Sequence, residues 1–435
     1  MNFENQSSED AEKTSSPNRL NRRSFLHLAG TGLAAAAVVR AAGAGDAAEA
    51  AAANKVSLPP LDLEGPEQAQ PLPKPPLPLN ERVGFAIVGL GHLSLGQILP
   101  AFGESKYAKP VALVSGDREK ARRIAKQYNI REEAIYDYTT YDALKNNPEV
   151  QVIYIVLPNS MHADFTVRGA RAGKHILCEK PMATSVADCE RMIAACETAK
   201  VKLMIAYRSQ YEPFDRAIVK AVREKKLGEL REFVSANSQN QGDPKQWRLN
   251  QKLAGGGPVP DVGIYCINAA RFISGEEPSE VFGQVVRKPE DPRFVEVEAS
   301  AQFILKFPSG LTAACSCSYD SHRSQFFRLQ GSEGWAELNP AFAYTGLKAR
   351  FRHKVSLHDT TLEPAIEAKN QFALEMDHFA ECVTADRKPH TPGEEGLQDQ
   401  RIVEAIYESA RTGKKVSLAP VASPRGPELM EPKAD

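Results

Sequence analysis

What this chain does without narrows the field first. None of its seven cysteines stands in a Cys-x-x-Cys pair, and no histidine or cysteine cluster has metal-ligand spacing. An odd cysteine count also argues against a disulfide framework. Cys315 and Cys317 lie two apart in an apparent strand, on one face, where they read as packing groups. Neither sign of charge is in excess: 54 Lys and Arg against 55 Asp and Glu leave a net charge of −1. The basic stripe of a nucleic-acid binder is therefore missing. No internal repeat is visible either, which removes the solenoid architectures.

What is present begins with an export signal. Asn21-Arg22-Arg23-Ser24-Phe25-Leu26 has the twin-arginine form, and the Ala/Gly/Val-rich run after it reaches Val39. That run is short for a membrane span, and an Ala-Gly-Ala beside it suits a signal peptidase. An uncleaved anchor or a chance arginine pair are the alternatives. Residues 1–53 are thus set outside the fold, and the expected location is the periplasm, with no membrane segment once the signal is gone. Residues 54–80 are rich in proline (Pro59-Pro60, Pro66, Pro71, Pro73, Pro75-Pro76 and Pro78) and favour extended polyproline II. They read as a linker or as an arm lying across a neighbouring subunit.

From Val83 the chain reads strand, then turn, then helix. The apolar run Val83–Val88 breaks into Gly89-Leu90-Gly91-His92-Leu93, with a small residue, Ser94, in the third glycine position of a dinucleotide fingerprint. Gly89 supplies the sharp backbone angle, and Gly91, lacking a Cβ, admits a pyrophosphate to the N–H groups that open the helix. Gly89, Leu90, Gly91, His92 and Leu93 are read as cofactor-binding. The twin-arginine route carries folded proteins, so a cytoplasmic nucleotide would be loaded before export.

Strands at 111–115, 152–157, 174–179 and 203–206 alternate with helices at 117–128, 163–172 and 185–199, the pattern of a doubly wound parallel sheet over residues 81–207. After about Gly228 the strands come as hairpins with glycine-bearing turns, at 299–319 and 326–338, followed by helices at 370–385 and 397–412. Residues 208–420 are read as an α+β domain with a mainly antiparallel sheet, and 421–435 as a tail.

The second strand ends at Ser115, where an enzyme using NAD usually carries an acid for the ribose 2′-hydroxyl. A hydroxyl followed by Arg118 and Lys120 suits a 2′-phosphate, so NADP is the expected cofactor. Asp117 keeps NAD open, and the cations have a second reading as the solvated face of a helix.

Glu179-Lys180-Pro181 closes a parallel strand at its carboxyl edge, where open α/β sheets bind ligands. Far along the chain, a helix over the segment after Gly255-Gly256-Gly257 would put Asp261 and Tyr265 on one face. Oxidising an alcohol by hydride transfer needs a base for the hydroxyl proton. A tyrosine serves when a nearby ammonium stabilises its anion, and Lys180 is the ammonium to hand. Taken singly, a lysine is more often solvated and a tyrosine more often packing.

Together with Leu157-Pro158-Asn159-Ser160-Met161-His162 and Glu179-Lys180-Pro181-Met182, these motifs resemble the Gfo/Idh/MocA oxidoreductase family, over about residues 80 to 418. More narrowly, Gln246-Trp247-Arg248 and Pro392-Gly393-Glu394-Glu395-Gly396 resemble its glucose–fructose oxidoreductase branch. The resemblance implies a Rossmann domain followed by a domain with a large open sheet that builds a dimer or tetramer. It implies Lys180, Asp261 and Tyr265 as the catalytic and sugar-binding groups. Cofactor contacts are implied from Leu157, Pro158, Asn159, His162, Glu179 and Lys180. It further implies retained NADP, oxidation of an aldose at C1 to the lactone, and reduction of a second sugar. Arg208, Trp247, Arg248 and Tyr319 are added as contacts to sugar or cofactor. His162 has an equal reading as a cap or core residue, and Trp247 as packing.

Overall fold

The computed structural model describes residues 78–355 and 358–429. The export signal, all but the last residues of the proline-rich arm, and the end of the tail lie outside the described residues. The first sheet has six parallel strands: β1 Val83–Val88, β2 Ala108–Val114, β3 Ile135–Tyr136, β4 Val152–Ile155, β5 His175–Glu179 and β6 Leu203–Ala206. Their order is β3-β2-β1-β4-β5-β6. That is the doubly wound arrangement, and the crevice outside its carboxyl ends, where the strand order reverses at β1 and β4, is where such sheets take ligands. β1 and β4 are fully buried, as strands covered on both faces must be.

The second sheet has nine strands: β7 Leu230–Asn240, β8 Glu280–Val286, β9 Ser300–Lys306, β10 Thr312–Ser318, β11 Asp320–Gly331, β12 Gly334–Leu338, β13 Ala349–Val355, β14 His358–Leu362 and β15 Val416–Ser417. They run β14-β13-β12-β11-β7-β10-β9-β8-β15, with β7 and β10 as the parallel pair and the other pairs antiparallel. The doubly wound sheet and the mainly antiparallel one both stand as expected.

β7, at the centre, was not legible in the sequence. Two of its inward positions are Ser235 and Asn237 rather than apolar residues, so the two-residue hydrophobic period is lost. Both are satisfied: Ser235 Oγ donates to Phe326 O at 3.0 Å, and Asn237 Nδ2 to Val262 O at 3.0 Å.

The helix Gln371–Thr384 comes late in the chain yet packs into the core of the first sheet through Phe372, Met376 and Phe379. Asp377 on the same helix accepts from Ser105 Oγ at 2.6 Å and from the backbone N–H groups of Lys106 and Tyr107 at 2.9 Å. Gly393–Thr412 is four residues longer at its start than the sequence suggested, because Pro392-Gly393-Glu394-Glu395 opens the helix instead of forming a loop. All seven cysteines are free and buried, Cys315 and Cys317 within the second core. Among the described residues no group of His, Cys, Asp and Glu has the arrangement of a metal site.

Candidate active site

The glycine turn follows β1 directly. Gly89 sits at φ +93°, and a Cβ on it would lie 2.3 Å from Val156 O, so only glycine fits. A Cβ on Gly91 would meet nothing within 4 Å, which leaves the main chain bare at an exposed helix start. Ser94 does more than fill the third position: its Oγ donates to Gly89 O at 2.6 Å and closes the turn. Bare backbone beside first-turn N–H groups is what a pyrophosphate needs. Leu90 turns its side chain into the core, so it offers backbone alone.

At the end of β2, Ser115 Oγ accepts from Asp117 N at 3.1 Å, and Asp117 caps the helix Arg118–Gln127 through Lys120 N at 2.9 Å. Asp117 Oδ1 is thereby engaged in the cap. Arg118 lies on the exposed face of its helix, its guanidinium paired with Glu132 at 3.3 Å.

Two of the residues after β4 turn out to be braces. His162 is fully buried, with Nδ1 2.9 Å from Pro181 O and Nε2 2.9 Å from Leu157 O. It ties the end of β4 to the end of β5, and the expectation of a cofactor or sugar contact is withdrawn. Asn159 Nδ2 donates to Ala254 O at 2.9 Å, which joins this edge to the helix Gln251–Ala254. Leu157 is buried and Pro158 half-buried at the same edge. The Glu179 carboxylate is also corrected: it is buried and accepts from Tyr154 OH at 2.8 Å, so it does not face a ligand. The same phenolic oxygen lies 3.1 Å from Glu375 Oε1, and burial pushes both carboxyls up.

Lys180 is the point of convergence. Its Nζ donates to Asp261 O at 2.9 Å and to Asp261 Oδ1 at 3.3 Å, and lies 4.6 Å from the centroid of the Tyr265 ring. Asp261 stands in a wide π turn, Val259–Gly263, and Tyr265 in the helix Ile264–Ser274 that continues it. Pro260 within the turn has no N–H to give to a regular α ladder. The turn is held at its start by buried Glu298, which accepts from Gly257 N and Val259 N at 3.1 and 3.3 Å, and from Tyr407 OH at 2.7 Å. The helix is held by Asn268, which donates to Glu395 and Asp399 at 3.0 Å each, and by buried Arg271, which pairs with Glu277, Glu395 and Asp399.

The Asp261 carboxylate is fully engaged. Besides Lys180 it accepts from Arg248 Nε at 3.1 Å and from Tyr319 OH at 2.5 Å, both on Oδ2. Burial alone would raise its pKa, but Arg248 and Lys180 outweigh that and hold it well below the usual carboxylate range. Burial likewise works against the Lys180 ammonium. Tyr265, Asp261 and Glu179 outweigh it, so Lys180 titrates above an ordinary lysine and keeps its charge.

Four of the expected sugar or cofactor contacts, Tyr319, Arg248, Trp247 and Arg208, have partners within the protein. Tyr319 is fully buried and its hydroxyl belongs to Asp261. Arg248 also belongs to Asp261, and Trp247 packs its ring against the Arg248 guanidinium, 4.5 Å from the centroid. Arg208 is 5 % exposed and donates to the Tyr265 hydroxyl oxygen at 3.1 Å. Its remaining partners are Phe342 O, Ala343 O and Gln371 Oε1. Gln371, Phe342, Glu298 and Asn237 all support the site, yet each lies far in sequence from the residue it supports. Nothing local in the sequence marks them.

Comparison with known proteins agrees with this arrangement. Residues 83–207 match an oxidoreductase family with an NAD-binding Rossmann fold, and residues 216–337 match the GFO/IDH/MocA C-terminal domain. The chain is 34 % identical over 341 residues to a D-xylose 1-dehydrogenase [NADP(+)] of Haloarcula marismortui, covering 77 % of this chain and 93 % of that protein. A D-xylose 1-dehydrogenase (NADP(+)) 2 of Haloferax volcanii is 30 % identical over 335 residues, covering 77 % and 99 %. The crystal structure of an aldose-aldose oxidoreductase from Caulobacter crescentus, complexed with glycerol, superposes with a TM-score of 0.75 at 46 % identity, covering 78 % of this chain and all of that one. With its glycine turn on β1 and its lysine, aspartate and tyrosine brought together across two sheets, the chain belongs to the Gfo/Idh/MocA oxidoreductase family.

Proposed function

We propose that this protein is a sugar oxidoreductase that oxidises an aldose at C1 to the lactone and reduces a second sugar, with NADP held tightly between the two half-reactions. The observation that carries the reading is the meeting of Lys180, Asp261 and Tyr265, with Lys180 Nζ 2.9 Å from Asp261 O and 4.6 Å from the Tyr265 ring centroid. The names of the three relatives, two NADP-dependent xylose dehydrogenases and an aldose-aldose oxidoreductase, support the substrate class and the cofactor.

The residues divide the work by their charge. Lys180 stays protonated, so it donates to the C1 hydroxyl and orients it. Asp261 stays ionised with three donors on it, so it acts by fixing the Lys180 ammonium. Tyr265 takes the hydroxyl proton as the hydride leaves C1 and the C1–O bond becomes a carbonyl. It returns that proton to the carbonyl oxygen of the acceptor sugar as a hydride reaches the carbon. NADP, held by the Gly89–Leu93 turn and the Ser115 end of β2, would supply the hydride chemistry when bound.

We further place the protein in the periplasm as a homo-oligomer. Val234, Ile304 and Val286 are 42, 44 and 39 % exposed on the second sheet, an apolar face that a second copy would cover.

Two measurements test the proposal. Native protein after exhaustive dialysis should release about one NADP per chain by mass spectrometry, and adding an aldose should build, and a second sugar bleach, absorbance of the reduced cofactor. Empty protein that turns over an aldose only with added NADP would make it a dehydrogenase with exchangeable cofactor. Tyr265→Phe should lose about a hundredfold or more in turnover while still holding nucleotide; unchanged turnover, or none in the parent protein with any sugar, ends the enzyme reading.

A further inference from the structure

We propose that Arg208, and not Lys180, is the positioning residue that stabilises negative charge on the Tyr265 oxygen, which leaves Lys180 free to serve the substrate hydroxyl. This rests on the acid/base role given to Tyr265 above and assigns the regulation of its charge.

The hydrogen bonds decide it. Arg208 Nη2 lies 3.1 Å from the phenolic oxygen and donates to it. Lys180 Nζ lies over the ring face, and its donors go to Asp261. A cation that donates to an oxygen binds the anion far more strongly than the neutral hydroxyl, because the acceptor's charge grows in the ionised form. A cation over the ring centroid acts on the π cloud and at longer range.

The guanidinium is held so that the phenol is the acid it touches. Its other partners are neutral: Phe342 O at 2.6 Å, Ala343 O at 3.3 Å and Gln371 Oε1. Its faces are lined by rings, with Tyr344 at 4.6 Å, Tyr265 at 4.9 Å and Phe372 at 5.7 Å to the centroids. Phe342, whose carbonyl accepts from Arg208 Nη2 at 2.6 Å, is held at φ +61°, a backbone region that bulky residues avoid. Strain of this kind at a ligand clamp is retained when the clamp is used.

The charged and titratable groups around the pair are Lys180 and Glu179 at the end of β5, Glu212 and Asp215 at the start of the helix Pro213–Arg223, Glu375 on the helix Gln371–Thr384, and Tyr344. Burial pushes the four carboxyls up, Glu212 to about 7, and among the described hydrogen-bond partners of the Arg208 guanidinium the phenol is the one acid.

The test compares holoenzyme carrying Arg208→Gln, Arg208→Lys, Tyr265→Phe and no change. With D-xylose as hydride donor, R208Q should lose about a hundredfold in kcat at neutral pH and recover as pH rises, its acid limb displaced upward by about one pH unit or more. KM should move less than about threefold, since Lys180 and Asp261 are left in place. R208K keeps the charge but not the fork, and its limb should fall between the two. The near-ultraviolet phenolate band that Tyr265→Phe removes should appear at higher pH in R208Q than in the parent, a readout that needs no sugar. A uniform loss with an unmoved limb and an unmoved band overturns the proposal. R208K decides the question by itself if R208Q does not fold: an unmoved limb and band there also overturn it. No turnover by the parent with any aldose would fail the enzyme reading, and the phenolate band would still decide Arg208.

Discussion

The hydroxyl of Tyr319 donates a 2.5 Å hydrogen bond to Asp261 Oδ2, across 58 residues of chain and from a fully buried ring. The bond is charge-assisted and helps fix the carboxylate that Lys180 meets. Tyr319→Phe should leave Asp261 ionised through Arg248 and Lys180 but loosen its position. A stability loss of about 1–3 kcal/mol is expected, with turnover falling less than in Tyr265→Phe. Thermal unfolding and steady-state rates on the same preparation check both; an unchanged melting point and an unchanged rate would show the bond to be idle.

The two turn glycines should fail in different ways. Gly89→Ala forces a Cβ to within 2.3 Å of Val156 O at φ +93°, so the fold itself should weaken by about 1–3 kcal/mol. Gly91→Val places its side chain in open space, so melting in the absence of nucleotide should be unchanged. Its nucleotide affinity should drop about tenfold or more, because the side chain fills the approach to the helix N-terminus. Calorimetric titration beside a melting curve separates the two; intact affinity in Gly91→Val would move the pyrophosphate elsewhere.

The proposed preference for NADP rests chiefly on the Ser115 hydroxyl. Ser115→Asp puts a carboxylate at the end of β2, where a 2′-phosphate would be repelled and a ribose 2′-hydroxyl accepted. The NADP-to-NAD preference should fall by about tenfold or more, read as a ratio of kcat/KM or of dissociation constants. A ratio that does not change would mean that the adenosine ribose lies away from Ser115.

Acid should destabilise the protein through His378. Burial holds its pKa down to about 3, and Nε2 accepts from His390 N at 3.0 Å, so the folded protein keeps the ring neutral. The unfolded chain takes up the proton near the ordinary histidine value of about 6.5. Between those values the unfolded state binds more protons, so stability is full above pH ~6.5 and is lost as pH falls toward ~3. At pH ~4 the contribution is a loss of about 3 kcal/mol. His378→Gln keeps an acceptor and removes the titration, so its melting temperature should fall less between pH 7 and 4 than that of the parent. Parallel curves would exclude His378.

The sequence by itself determined the doubly wound sheet and the glycine turn, and it offered Lys180, Asp261 and Tyr265 as candidates, because each rests on a local pattern. Apolar runs mark buried parallel strands, a glycine marks the backbone angle beside a phosphate, and a short motif marks a strand end. Tertiary structure alone decided which cation meets which acid. Arg208, Arg248, Tyr319, Gln371 and Glu298 reach their partners from 13 to 163 residues away, over distances that no periodicity encodes. The sequence placed Lys180 near Tyr265, and the structure adds Arg208 as the cation that donates to its hydroxyl oxygen. His162 and Glu179 became internal braces because their side chains turn from the cleft into the core, a matter of packing direction. β7 stayed hidden because a central strand with buried Ser235 and Asn237 is stabilised by hydrogen bonds to other segments, and hydrophobic alternation does not record them.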